Sequence, residues 1–176
     1  MRFEALRIDG PWLIQPDLLE DERGWFARTF CSEEFLARGL HVPFVQSNIS
    51  WNRLRGTLRG LHYQRPPLEE VKLVRCTKGA VYDVIVDLRP KSQSFRQWTA
   101  VELTAENRVS VYVPAGFAHG FQSLEDDTEV LYQMGAPYAP ELAAGVRWND
   151  SAFGIAWPIS SPILSPRDRD YPDFHP

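Results

Sequence analysis

Two cysteines among 176 residues, Cys31 and Cys76, lie in dissimilar contexts with no CxxC spacing. They exclude a disulfide framework and a thiolate zinc site, and they read as free thiols packed as small hydrophobes. No apolar run approaches the length of a membrane span, so no membrane partner is expected. The opening MRFEALRIDG lacks the apolar core of a signal peptide, and a cytoplasmic location is the expectation. A basic excess is missing as well: the formal charge is -4 and the pI about 5.6. That balance excludes a general nucleic-acid binder, which needs a basic surface to displace counterions from phosphates. Any phosphate must be met by local cations. Internal repeats, low-complexity tracts and evident linkers are also lacking. With 44% hydrophobic and 12% aromatic residues, the chain is expected to fold as a single domain, residues 1–176.

Helical signal is scarce. The best case spans residues 32–39, where Ser32 can cap and Gly39 can terminate a helix around Phe35 and Leu36. From Val71 onward, short runs rich in Val, Tyr, Leu and Ile alternate with turn residues. They are VKLVRC (71–76), AVYDVIVDL (80–88), WTAVEL (98–103), VSVYVP (109–114), GFQSL (120–124) and EVLYQM (129–134). Turns fall at Lys78-Gly79, Pro90-Lys91-Ser92 and Glu125-Asp126-Asp127. Closely spaced short strands predict an all-β fold, drawn as a double-sheet jelly roll with terminal extensions and a few short peripheral helices. Residues 157–176 carry Pro158, Pro162, Pro166, Pro172 and Pro176. That tail is expected to form no regular element and to drape over the body.

Of the four histidines, His41, His62, His119 and His175, two sit in pointed contexts. In Arg59-Gly60-Leu61-His62-Tyr63-Gln64, His62 and Gln64 are two apart and face one side of a strand. In Pro114-Ala115-Gly116-Phe117-Ala118-His119-Gly120-Phe121, a Pro-Gly turn delivers His119. A hydrogen-bonded core residue is the plain reading of a lone histidine. These segments, however, resemble the paired motifs of the cupin superfamily, H-x-H followed by a glutamate and then P-x-G-x-x-H, which implies a cupin double-stranded β-helix. Here the first motif reads H-Y-Q. That leaves at most His62, His119 and Glu69 or Glu70 as ligands, so the site is expected to hold no metal and to need no cofactor. Lys72 and Tyr132, on predicted strands, add the parts for removing a proton from carbon beside a ketone. Such a proton is weakly acidic, so its base needs a carboxylate partner and the developing enolate needs a cation, a role that suits Lys72. Inversion needs a second acid on the other face, and a tyrosine hydroxyl can serve.

Along nearly its whole length the sequence resembles the dTDP-4-dehydrorhamnose 3,5-epimerase family. The matching stretches are DERGWF (21–26), FVQSN (44–48), LRGLHYQ (58–64), KLVRC (72–76), DVIVDLR (83–89), PAGFAHGF (114–121), WND (148–150) and LSPRD (164–168). The resemblance implies His62 as the base, paired with Asp168 from the tail, Tyr132 as the opposing acid and Lys72 at the ketone. It further implies that Arg23, Gln46, Asn48 and Arg59 hold the nucleotide, that Phe26 lies against its base, and that His119 lines the pocket. Arg28, Tyr138 and Arg167 join the substrate-binding set. Fixed guanidinium groups suit an acidic protein that must meet a diphosphate. The implied function is epimerisation of a nucleotide-activated 4-keto-6-deoxyhexose at carbon 3, carbon 5 or both, for deoxysugar biosynthesis. The implied partner is a second copy of the chain, a homodimer with exchanged N-terminal strands in which Arg23 and Phe26 complete the neighbour's site.

Two positions depart from the pattern: Arg28 stands where the family usually has an acid, and Ala143 where it usually has glutamate. Both bear on which sugar or nucleotide is taken. Two other classes stay open on the residues alone. One is a metal-dependent cupin oxygenase or isomerase built on His62, Gln64, Glu69 or Glu70, and His119. The other is a sugar-binding cupin without chemistry.

Overall fold

A computed structural model describes residues 1–40 and 43–175; His41 and Pro176 lie outside the described residues. The first half of the chain forms β1 (Arg2–Ala5), β2 (Trp12–Gln15), β3 (Leu18–Asp21), β4 (Gly24–Ala27), α1 (Ser32–Leu36), β5 (Gln46–Asn52) and β6 (Leu58–Gln64). The second half forms β7 (Lys72–Lys78), β8 (Ala80–Asp87), β9 (Trp98–Thr104), β10 (Ser110–Val113), β11 (Phe117–Ser123), β12 (Thr128–Met134), β13 (Ala143–Gly145) and α2 (Pro166–Arg169). Six strands pair in the order β1-β2-β10-β7-β12-β5 and five in the order β13-β6-β11-β8-β9, while β3 and β4 form a separate hairpin. Pairings between these strands are antiparallel, and the two sheets make the expected cupin-type sandwich.

Two-residue periodicity assigns the faces. Along β7, Val74 and Cys76 enter the inter-sheet core with Val81, Ile85, Val111, Phe121 and Val130, whereas Leu73 points outward. The outer face of the six-stranded sheet is covered by Phe35 of α1, packed on Ile14, Leu73 and Tyr112. The outer face of the five-stranded sheet carries Leu61, Val84, Val86 and Ala118, covered by Phe153 and by Trp157 and Phe174 of the draped tail. Each such apolar side chain, fully buried, contributes about 1.5–3 kcal/mol, so the tail stabilises the sheet it covers.

Three local expectations need correction. The helix near residue 32 is capped by Cys31, whose side chain makes no capping bond, so Ser32 is the first helical residue and burial of Phe35 holds the turn. Gly39 does end it, at φ +71°, with its N–H on the Leu36 carbonyl and the Leu40 N–H on that of Phe35. The tail does contain a regular element, α2. Pro166 occupies the first turn, where no amide hydrogen is required, and Ser165 caps by accepting from the Asp168 N–H at 3.1 Å. Finally, the run expected at 120–124 is part of a strand that begins at Phe117, so His119 projects from a strand.

Gly60 of β6 and Gly120 of β11 face each other across their ladder. A Cβ on Gly120 would lie 2.7 Å from the Arg59 carbonyl oxygen, and one on Gly60 would lie 2.6 Å from the Gly120 Cα. Backbone meets backbone here, so no rotamer can relieve the clash. Gly120→Ala is expected to destabilise by about 2 kcal/mol, which for a chain of this length lowers Tm by roughly 6 °C. Calorimetry of the variant checks this.

Candidate active site

A cavity of about 310 Å³ opens between the sheets. Asn48 of β5, Lys72 of β7 and Tyr132 and Met134 of β12 line its six-stranded side, because Tyr132 pairs with Asn48 and Met134 with Lys72. β6 and β11 supply Arg59, His62, Gln64, His119 and Phe121, and β13 supplies Ala143 and Ala144. Glu70, Tyr138 and Arg167 close the cavity from outside the strands.

Arg59 and His62 are three residues apart and would face opposite sides of a regular strand. The register shifts between them: His62 pairs with His119, but Arg59 pairs with Phe121. Three steps on β6 match two on β11, so β6 carries one extra residue and both side chains face the cavity. Gly60, at φ +137°, takes the backbone conformation this bulge requires.

His62 Nε2 lies 2.6 Å from Asp168 Oδ1, with Asp168 buried and His62 partly open to the cavity. Burial pushes the Asp168 carboxyl up, but the hydrogen bond and charge of His62, with help from the Gly60 backbone and Ser165, outweigh it. The carboxyl therefore lies below its ordinary value of 3.8. Tyr171 stands edge-on to the His62 ring, centroids 5.8 Å apart, in space that Gly145 leaves open. A second imidazole–carboxylate pair, His119 Nε2 to Asp83 Oδ2 at 2.8 Å, is buried in the wall.

The Tyr132 hydroxyl is 3.1 Å from Ser50 Oγ. Burial raises it far above the usual phenol range, against the opposing pull of Ser50 and Arg59 and with a further push from Asp83, so it stays protonated at neutral pH. Lys72 Nζ donates to the His62 carbonyl at 3.2 Å and pairs with Glu70 Oε1 at 2.9 Å. Arg59 is steadied by Nε donating to Asn52 Oδ1 at 2.8 Å, and buried Asn52 in turn donates to the Thr128 carbonyl.

Four of the candidate ligand positions make contacts within the protein, and the Gln64 amide is fully taken up. Both imidazoles hold carboxylates, and Glu70 holds Lys72. The Gln64 amide nitrogen donates to the Leu68 and Pro137 carbonyls while its oxygen accepts from the Ala139 N–H. Among the described residues no three His, Cys, Asp or Glu side chains converge as a metal would need. The donor set does not fit a metal centre.

An imidazole–carboxylate pair, a partly buried phenol and an ammonium around one cavity suit proton transfer at carbon. The family model described as dTDP-4-dehydrorhamnose 3,5-epimerase matches residues 5–176. The chain belongs to that family. It is an isomerase with dTDP-4-dehydrorhamnose 3,5-epimerase activity, in dTDP-rhamnose and deoxysugar biosynthesis. It is 43% identical over 175 residues to the dTDP-4-dehydrorhamnose 3,5-epimerase of Sinorhizobium fredii, covering 99% of this chain and 90% of the relative. The crystal structure of the Bacillus anthracis epimerase with TDP and PPi bound superposes with a TM-score of 0.95 at 40% identity, covering 98% of this chain and 99% of that one. The Legionella pneumophila enzyme in complex with dTDP-4-keto-L-rhamnose gives 0.92 at 36% identity, covering 98% and 92%.

Within this epimerase, His62, Asp168, Tyr132, Lys72, Asn48, Arg59, His119, Tyr138 and Arg167 gather at or directly behind the cavity. Gln46 stands at the rim, accepting from the Tyr138 N–H. Three expected residues are elsewhere on the single chain. Arg23, 84% exposed, pairs with Asp21 on the β3–β4 hairpin, Phe26 of the same hairpin is 70% exposed, and Arg28 pairs with Glu34 at 3.5 Å. Among the described residues no helix is long and apolar enough to cross a membrane. Sequence reading passed over Ser50, Asp83 and Tyr171. Ser50 could have been found from the alternation Gln46, Asn48, Ser50, Asn52, a polar inner face that a plain core strand would not carry.

The depressed Asp168 carboxyl sets a sign. A group whose folded value lies below its unfolded value contributes stability that is present above the unfolded value and lost as pH falls through the folded one. The Tm difference between wild type and Asp168→Asn should hold steady from pH 5 to 7, roughly, and shrink on acidification below about pH 4. Melting curves across that range check it.

Proposed function

We propose that the cavity binds a dTDP-4-keto-6-deoxyhexose and inverts the carbons beside its ketone using side chains alone, without a cofactor. His62, with Nε2 engaged by Asp168, takes the C–H proton at Nδ1, and the electron pair left behind delocalises onto the ketone oxygen as an enolate. The Lys72 ammonium stabilises that oxygen. Tyr132 then delivers its hydroxyl proton to the opposite face of the carbon, which is a much stronger base than a phenolate, and recovers a proton from solvent. Asp168 holds the imidazole in place and supports the imidazolium while it carries the proton, which His62 then releases to solvent. Arg59 and Asn48 receive the diphosphate end, with His119 lining the sugar pocket and Tyr138 and Arg167 at its mouth.

One observation carries this reading. His62 and Tyr132 enter a single cavity from opposite sheets, which is the arrangement that inversion, as distinct from simple exchange, demands. The test is solvent exchange of a dTDP-4-keto-6-deoxyhexose in D2O, read by NMR at carbons 3 and 5. Wild type should place deuterium at both. His62→Ala should lose exchange by about 10²–10⁴-fold, and Tyr132→Phe should exchange a proton yet fail to invert the centre. Wild-type exchange by His62→Ala would show that another group is the base.

The same proposal includes a single-domain chain that works in the cytoplasm as a homodimer with exchanged N-terminal strands. Supporting it is the β3–β4 hairpin, which pairs with neither sheet and exposes Leu19, Trp25 and Phe26. Arg23 and Phe26 on that hairpin then complete the partner's nucleotide site. Sedimentation equilibrium should give about twice the 20.2 kDa chain mass. A combined Arg23→Ala and Phe26→Ala variant should raise KM with kcat nearly unchanged; a monomeric species with full activity would overturn the exchange.

A further inference from the structure

Glu70 is not needed by the proton transfers above, yet it is a carboxylate in the cavity wall, 11% exposed, 2.9 Å from a Lys72 side chain that is 7% exposed. A buried ion pair of this kind is a poor stability device, because desolvating both charges cancels most of their attraction. Its value lies in where it puts the charge. An ammonium has three N–H donors. One goes to the His62 carbonyl and one to Glu70, which leaves a single donor for the cavity that Lys72 lines. The first bond ties Lys72 to the backbone of His62 and the second holds the ammonium from the other side, so the cation keeps a set place beside the imidazole. A lysine carries a long flexible stem and does not hold a position unaided. Glu70 reaches it from the loop between β6 and β7, and Gln64 anchors that loop by donating to the Leu68 carbonyl.

We infer that Glu70 is a positioning residue that aims the remaining Lys72 N–H at the substrate ketone. This rests on the reading of Lys72 as the ketone's cation. The experiment is a double-mutant cycle on the full chain with a dTDP-4-keto-6-deoxyhexose in D2O, measuring kcat and KM for exchange, with folding of each variant checked by its melting curve. Glu70→Ala should lower kcat about 10- to 100-fold, the scale of a misaimed catalytic group, with KM changed by less than about threefold because Arg59 and Asn48 are untouched. Glu70→Gln, which keeps an acceptor oxygen for the ammonium, should return kcat to within about threefold of wild type. In a Lys72→Met background, Glu70→Ala should cost no more than about twofold further, since a positioning residue has nothing left to position. An effect of equal size in both backgrounds would mark Glu70 as merely structural and overturn the inference. So would a Glu70→Ala enzyme with wild-type kcat while Lys72→Met is impaired. If instead Lys72→Met exchanges like wild type, the ketone reading of Lys72 fails, and this inference falls with it.

Discussion

One close approach of backbone to backbone governs this site. Gly60 and Gly120 meet where β6 and β11 lose register, and no side chain fits between them. The extra residue turns Arg59 to the same face as His62, so the group expected to meet phosphate and the group expected to move a proton share one cavity. A regular strand would have separated them. The shared face of these two side chains depends on that single residue of slippage, which two glycines make room for.

Around it, charge is handled by pairing. Each imidazole has its own carboxylate, Asp168 for His62 and Asp83 for His119, and Lys72 has Glu70. The pairs are alike in chemistry and unlike in depth. His119 and Asp83 are sealed within the wall, whereas His62 is open to the cavity with only its partner buried. An imidazole that must take up and release a proton has to be reachable, while the carboxylate that steadies it works best away from water. The second pair has the geometry of a brace and the first that of a working part.

Most strands and the proposed base were legible because period-two patterning and motif spacing are local properties. Val74, Cys76 and Lys72 on one face follow directly from alternation along β7. The Ser165 cap was not read, since five prolines in the tail outweighed a one-turn helix whose proline happens to stand where a helix tolerates it. Nor could spacing alone bring Arg59 beside His62: three residues on a strand argue the reverse, and only the bulge reconciles them. Asp83 and Glu70 were harder still, because a buried carboxylate shows its role only through the partner it meets in space. The hairpin residues Arg23, Phe26 and Arg28 came from family resemblance alone, and their positions on an isolated chain explain why composition offered no hint of them.

The carboxylate partner of the proposed base, His62, comes from outside the two sheets. Asp168 arrives 106 residues after His62, on a four-residue helix in a tail that covers the outer face of the five-stranded sheet and hydrogen-bonds to the body at Ile159 and Ile163. The strands that shape most of the cavity and the segment that supplies the carboxylate partner of His62 are therefore far apart in sequence, and Arg167 of that segment also lines the cavity. Drift or redesign in residues 165–171 can retune the reactivity of one imidazole while leaving the inter-sheet core unaltered. A fold arranged this way can keep its inter-sheet core through long evolutionary change while its chemistry is switched, weakened or silenced from the periphery.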